Sequence, residues 1–229
     1  MSKIFVIGHV NPDTDSIASA MGYAWFLSAT NGDDYIPARA GPINNQTAWV
    51  LERLDLTAPE LLADASPRFA SVAQRLDTVT AEQSLREAWI LATRTGYAAP
   101  VIDKEGYPVS LITGMSLFSY LGQIVEPHLS KDDIPLGDLF ERPCIEAGDR
   151  DVPKFLANSR LRDALPKILR EERNEFWVID ENARYVGICR QRNLLNPPRL
   201  RLILVDHNEI GQALGSLDEA DLIEVEKLY

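Results

Sequence analysis

One imidazole and two carboxylates, His9, Asp13 and Asp15, stand within seven positions of one another near the start of the chain. That density of oxygen and nitrogen donors suits a hard-to-borderline divalent cation such as Mn²⁺ or Mg²⁺. The elements around them fix their setting. The apolar run Ile4, Phe5 and Val6 reads as a short buried strand that Gly8 brings to an end. From Ser16 onward, Ile17, Ala20, Met21, Ala24 and Leu27 recur at helical spacing. The three polar residues therefore fall on a strand-to-helix loop at a strand's carboxyl end, where open α/β sheets carry their chemistry. Each also has a plainer use. Asp13, Thr14, Asp15 or Ser16 can cap the helix, and Asn11-Pro12 is a turn signal. One cap needs one carboxylate, however, and here there are two and a histidine.

The composition narrows the class of protein. The 229 residues are 45% hydrophobic and 25% charged, a globular balance. A net charge of −11 repels phosphate backbones and argues against a nucleic-acid partner. An anionic substrate needs a metal or a local cationic site to overcome that field. Cys144 and Cys189 fit neither a disulfide framework nor zinc spacing. No apolar run has the length of a membrane span, and nothing near the N-terminus reads as a signal peptide. A soluble, cytoplasmic protein with no membrane partner is expected.

The string GHVNPDTDSI resembles the first signature of the DHH phosphoesterase superfamily, in the form found in family II, manganese-dependent inorganic pyrophosphatases. ARAGPINNQTAWVLERL, residues 38–54, is similar to the segment after the first helix in that family, with a Gly-x-x-Asn-x-x-Thr core. LILVDHNEIGQAL, residues 202–214, looks like the second signature, a strand ending in Asp-His-Asn. The resemblance implies metal ligation by His9, Asp13, Asp15 and Asp206, with Asp206 bridging two ions. Mn²⁺ is the implied cofactor, with Mg²⁺ or Co²⁺ as substitutes, and pyrophosphate the implied substrate of a completed site. His207 belongs to the same signature, although Asp206 to Asn208 can also serve as a helix cap.

Between Pro67 and Pro198 the pattern changes. Residues 79–121 and 155–195 share one order of elements. Each begins with a helix, carried by Leu85, Ala88, Trp89 and Ala92 in the first and by Leu161, Ala164, Leu165 and Ile168 in the second. A strand ending in Val-Ile-Asp follows, then a turn, a second strand and a closing helix. Such an internal duplication buries its apolar faces only in company. The doubled β-α-β-β-α unit resembles a CBS-domain pair, which implies a cleft for an adenine nucleotide such as AMP or ADP. That family places a Ser or Thr, and three residues later an Asp, where the last strand meets the last helix. Here Thr113 is followed by Ser116, and in the second copy Arg190 and Asn193 hold the two positions. Arg190 is expected to meet a phosphate, and Thr113 or Asn193 a ribose. The apolar positions Leu85, Trp89, Leu161 and Leu165 point to a homodimer.

The expected architecture is therefore α/β: a parallel-sheet DHH-type half-domain, residues 1–66 and 200–229, interrupted by a tandem CBS module at 67–199. The resembled enzymes also carry an Asp-His-His signature and a second domain with Lys and Arg residues that grip pyrophosphate. The strand that precedes that signature corresponds to Asp221–Leu228, and the 229 residues contain no Asp-His-His. The expectation is the metal-binding and regulatory N-terminal portion of a pyrophosphatase, inactive by itself. The alternative is a non-catalytic protein that senses a nucleotide or dimerises on a phosphoesterase scaffold.

Overall fold

The computed structural model describes residues 3–96, 98–128, 135–205 and 220–226. In chain order the elements are β1 (Ile4–Ile7), α1 (Thr14–Asn31), β2 (Tyr35–Arg39), α2 (Asn45–Arg53), β3 (Glu60–Leu61), α3 (Phe69–Val72), α4 (Leu85–Arg94), β4 (Ala98–Ile102) and β5 (Pro108–Thr113). There follow α5 (Gly114–His128), α6 (Leu136–Phe140), β6 (Lys154–Leu156), α7 (Leu161–Ile168), β7 (Glu175–Ile179), β8 (Tyr185–Arg190), β9 (Arg201–Val205) and β10 (Asp221–Glu226). The chain divides into two compact units, Met1–Pro67 with Pro198–Tyr229, and Arg68–Pro197.

The first unit is built on a five-stranded sheet ordered β10-β9-β1-β2-β3, and every neighbouring pair is parallel. The central strands alternate between two cores, as the two-residue period of a strand requires. Ile4, Val6, Ile203 and Val205 face Ala24 and Leu27 of α1. Ile7, Leu202 and Leu204 face the other way, toward Ala38, Ala40, Ala65 and Ala220. Burial on both faces explains why Leu202 to Val205 read as an unbroken apolar run. Helix α1 starts two residues earlier than its apolar spacing suggests, which places Asp15 in its first turn. It ends at Gly32, whose φ of 73° is the left-handed cap that glycine tolerates.

The second unit shows the duplication directly. In each copy an incoming segment pairs parallel with the middle strand, and the middle strand pairs antiparallel with the last. The first copy has the Val79–Val101 bridge and then β4–β5. The second has β6–β7 and then β7–β8. Helices α4 and α7 pack on these strands. Ser84 caps α4 in a full capping box with Glu87. Each copy has a core of its own, around Ala88, Ala99 and Ile112 in the first and Phe69, Phe176 and Val178 in the second. A further cluster belongs to both, formed by Ala98, Ile102, Leu111, Val152, Trp177 and Ile188. The buried thiols of Cys144 and Cys189 are pushed up to about 11 and about 12 by desolvation, which makes them packing groups rather than nucleophiles.

Two expectations are corrected. The closing helix is α5 in the first copy, but in the second it is a single 3-10 turn, Gln191–Leu194. Pro197 and Pro198 follow at once, and proline cannot continue a helix. Leu85 and Leu161 are also not outward-facing. They are 2% and 4% exposed and sit inside the module, because they open their helices against the strands. Outward apolar side chains on α4 and α5 include Trp89, Ile90, Met115 and Phe118.

The fully buried Leu202 tests how far the first unit depends on β9. Leu202→Ala is expected to cost about 2–5 kcal/mol, read as a lower urea midpoint for that unit. Trp25→Ala, at a position 74% exposed, is expected to move the midpoint by no more than about 0.5 kcal/mol.

Candidate functional site

The loop after β1 carries the candidate ligands. His9 Nε2 lies 3.6 Å from Asp13 Oδ1. Asp13 Oδ1 also accepts the backbone N–H of Ser16 at 2.9 Å, so Asp13 is the N-cap of α1. That hydrogen bond is the largest effect; burial opposes it, and the neighbouring His9 adds to the lowering, so the Asp13 carboxyl stays below the usual carboxylate range. One carboxylate thus has both the structural use and a ligating neighbour. Asp15 follows on the exposed side of the first turn.

Close packing shapes the floor of the loop. A Cβ at Gly8 would stand 2.0 Å from Ser16 Oγ, so only glycine lets the strand end pass under the helix start. Two buried polar atoms there, His9 Nδ1 and Ser16 Oγ, have no hydrogen-bond partner among the described residues. Orphaned polar atoms of this kind are the exception in folded proteins and fit a place where a ligand completes the bonding.

The Gly-x-x-Asn-x-x-Thr segment has a visible function. Asn44 caps α2 by accepting the Thr47 N–H at 2.8 Å. Thr47 is buried, and its hydroxyl meets that of Thr14 at 2.9 Å. The N-termini of α1 and α2 are thereby tied side by side. Each carries partial positive charge and unsatisfied N–H groups, a setting that favours anions. The sequence contained this signal in two cap-forming motifs, but their adjacency depends on the Thr14–Thr47 contact.

The fourth candidate ligand, Asp206, lies outside the described residues, as does His207. What is described is β9 up to Val205, in parallel register with β1 such that Ile7 pairs with Leu204. Among the described residues, no group of three His, Cys, Asp or Glu is placed to hold a metal. His9 and Asp13 form a pair, and a complete cage needs a donor beyond those described.

In the second unit the four candidate residues separate into two places. Thr113 and Ser116 make a reciprocal cap: the Thr113 N–H donates to Ser116 Oγ at 2.9 Å, and the Ser116 N–H to Thr113 Oγ1 at 3.2 Å. They line a cleft of about 890 Å³ together with Glu146, Asp149, Arg170 and Arg173. Arg173 is paired there with Asp149 at 2.7 Å and Glu171 at 3.4 Å. Arg190 is elsewhere and committed: its guanidinium donates to Gln74 Oε1 and to the carbonyls of Thr95 and Gly96. Asn193 donates to the Val72 carbonyl at 3.3 Å. Both therefore bond the protein itself. Burial pushes the Glu175 carboxyl up, with Arg190 and Arg192 pulling the other way.

Residues 3–227 match the DHH family, N-terminal domain, and the chain belongs to that family. A cobalt-dependent inorganic pyrophosphatase of Clostridium perfringens is 26% identical over a 326-residue alignment, spanning 97% of this chain and 59% of that protein. A manganese-dependent inorganic pyrophosphatase of Methanothrix thermoacetophila is 38% identical over 89 residues, 39% of this chain and 29% of that protein. The chain spans less than two thirds of the length of these curated relatives. Among solved structures, CBSX2 in complex with AMP aligns with a TM-score of 0.45 at 16% identity, over 56% of this chain and 93% of that one. MJ1225 of Methanocaldococcus jannaschii aligns with a TM-score of 0.48 at 17% identity, over 56% and 48%.

Capping and ligation at Asp13 can be separated. Asn caps as well as Asp, so Asp13→Asn is expected to keep thermal stability and lose Mn²⁺ affinity in calorimetry. Asp13→Ala is expected to lose both, the cap accounting for about 0.5–2 kcal/mol. Glu175 gives a pH test. Its folded carboxyl ionises at higher pH than an unfolded one, so its contribution is present below the unfolded value near pH ~4.3 and lost as pH rises through the folded one. Glu175→Gln is expected to melt above the parent at neutral pH, with the gap closing in acid.

Proposed function

We propose that the chain is the N-terminal, metal-binding and CBS-regulatory portion of a divalent-metal-dependent inorganic pyrophosphatase, acting on diphosphate when its site is complete. The single observation that carries this reading is the parallel β1–β9 pair, whose carboxyl ends are level at Ile7 and Leu204. The His9 loop leaves one strand at that level, and the Asp206-His207-Asn208 stretch follows the other in sequence. The proposed ligands are His9, Asp13, Asp15 and Asp206, a donor set suited to Mn²⁺, Co²⁺ or Mg²⁺. When bound, such ions lower the pKa of water and neutralise charge on a transferring phosphoryl group.

The chain's own groups have definable tasks in this reading. Asp13 holds its proton-free form below the ordinary range, ready to ligate, and fixes the start of α1. His9 presents Nε2 toward Asp13 while Nδ1 remains unsatisfied among the described residues. The paired N-termini of α1 and α2 supply positive potential in a protein of net charge −11. The 229 residues contain three histidines, none adjacent to another, and lack the Asp-His-His donors of the resembled enzymes. By itself, then, the chain binds metal but turns over diphosphate poorly.

The regulatory part of the proposal concerns the Thr113 cleft. Its size suits a nucleoside monophosphate, and its arginines are matched by more carboxylates, which disfavours polyphosphates. Outward Trp89, Met115 and Phe118 give the module an apolar surface suited to pairing with a second copy. A purely sensing or dimerising protein is the alternative reading.

Calorimetry with Mn²⁺ on the parent and on Asp206→Ala tests the core of the proposal. The variant is expected to lose binding; equal binding by both proteins refutes the assignment. Phosphate release from diphosphate with Mn²⁺ is expected to stay below about one turnover per second, the low end of the usual enzyme range. For the cleft, ligand binding raises the melting temperature by mass action. AMP is expected to raise it more than ATP at equal concentration, and the reverse order contradicts the charge argument.

A further inference from the structure

The two copies of the second unit repeat the seam between them as well as their strands. In the first copy Leu111 exchanges two backbone hydrogen bonds with Asp149, at 2.8 and 3.0 Å. In the second, Ile188 does the same with Gln74, at 2.9 Å each. Two residues beyond these bridged positions stand Thr113 and Arg190, which close β5 and β8. Two residues before β4 and β7 stand Gly96 and Arg173. The module thus has two pseudo-equivalent places framed by the same elements.

Only one of them is open in the same way. At the first, the short Thr113 side chain folds back onto Ser116, and the cleft of about 890 Å³ remains. At the second, the long Arg190 side chain crosses from its own copy to the other. Its guanidinium is held at 2.8 Å by Gln74 Oε1, at 2.5 Å by the Thr95 carbonyl and at 3.2 Å by the Gly96 carbonyl. Arg190 is 7% exposed. The receiving loop is shaped for it: Gly96 has φ +76°, and a Cβ there would come within 3.2 and 3.4 Å of the two guanidinium nitrogens. A planar fork bonded to one side-chain and two backbone oxygens fills this place as a bound cation would. What is left beside it is a smaller cleft of about 470 Å³.

We infer that Arg190 is a built-in occupant of the second place, so that the module takes one small-molecule ligand per chain, in the Thr113 cleft. The identity of that ligand as a nucleotide rests on the reading proposed above; the occupancy by Arg190 does not.

Equilibrium dialysis of AMP with the full chain tests the count. One AMP per chain is expected at saturation, and Ser119→Trp, at an exposed position lining the open cleft, is expected to abolish it. Two AMP per chain overturns the inference. So does a single site that survives Ser119→Trp and disappears in Arg190→Ala. If the parent binds no AMP, the nucleotide reading fails and a second measurement judges Arg190 alone. Arg190→Ala is expected to melt below the parent and to recover with millimolar guanidinium chloride, while the parent shows no gain and potassium chloride rescues neither. Absence of rescue overturns the inference. Should the alanine variant not fold, Arg190→Lys keeps the charge but not the fork, and melting equal to the parent overturns it as well.

Discussion

The first unit depends on one long-range pairing. Ile4 and Arg201 are register partners on adjacent parallel strands although 197 positions separate them (201 − 4). Closing so long a flexible chain costs roughly 4–5 kcal/mol by the logarithmic loop law. Four consecutive buried side chains, Leu202 to Val205, set between two cores, oppose that cost. Without β9 the sheet would end at β1, and β10 would have nothing to pair with. The His9 loop would then emerge at an exposed edge rather than inside a sheet. The candidate ligands thus rely on residues that carry no chemistry.

The charge distribution follows a consistent logic. A strongly acidic chain has few places for an anion. The paired starts of α1 and α2 favour negative charge through their backbone dipoles, and Asp13 and Asp15 already stand at the first of them, with Thr14 and Thr47 locking the two starts together. The Thr113 cleft does the opposite. Its arginines are offset by nearby carboxylates, and Arg173 is already held by Asp149 and Glu171. A ligand there gains from shape and hydrogen bonds more than from net charge.

Much of this was legible in the sequence, and the reason is local. The strands β1 and β9 announce themselves because a central parallel strand is apolar on both faces. Helix α1 shows its period, and the copies show their Val-Ile-Asp ends. The sequence also carried both uses of Asp13, cap and candidate ligand, without choosing between them. What it could not convey was any contact made with backbone atoms far along the chain. Arg190 looked like a phosphate ligand because its acceptors, the carbonyls of Thr95 and Gly96, have no signature in residue type. Leu85 and Leu161 looked like interface residues because a helical stripe does not say how much of itself the adjoining strands cover. Asp206 lies outside the described residues, which include only the strand before it.

The cluster shared by the two copies has a mechanical consequence. Trp177 from one copy and Leu111 from the other are both buried in it, at 1% and 0% exposure. Neither copy can rotate against the other without opening a void, and close-packed interiors resist such voids strongly. The module therefore behaves as a gear cut from one block rather than as a hinge between two plates. The chain enters the block after Pro67 and leaves it before Pro198.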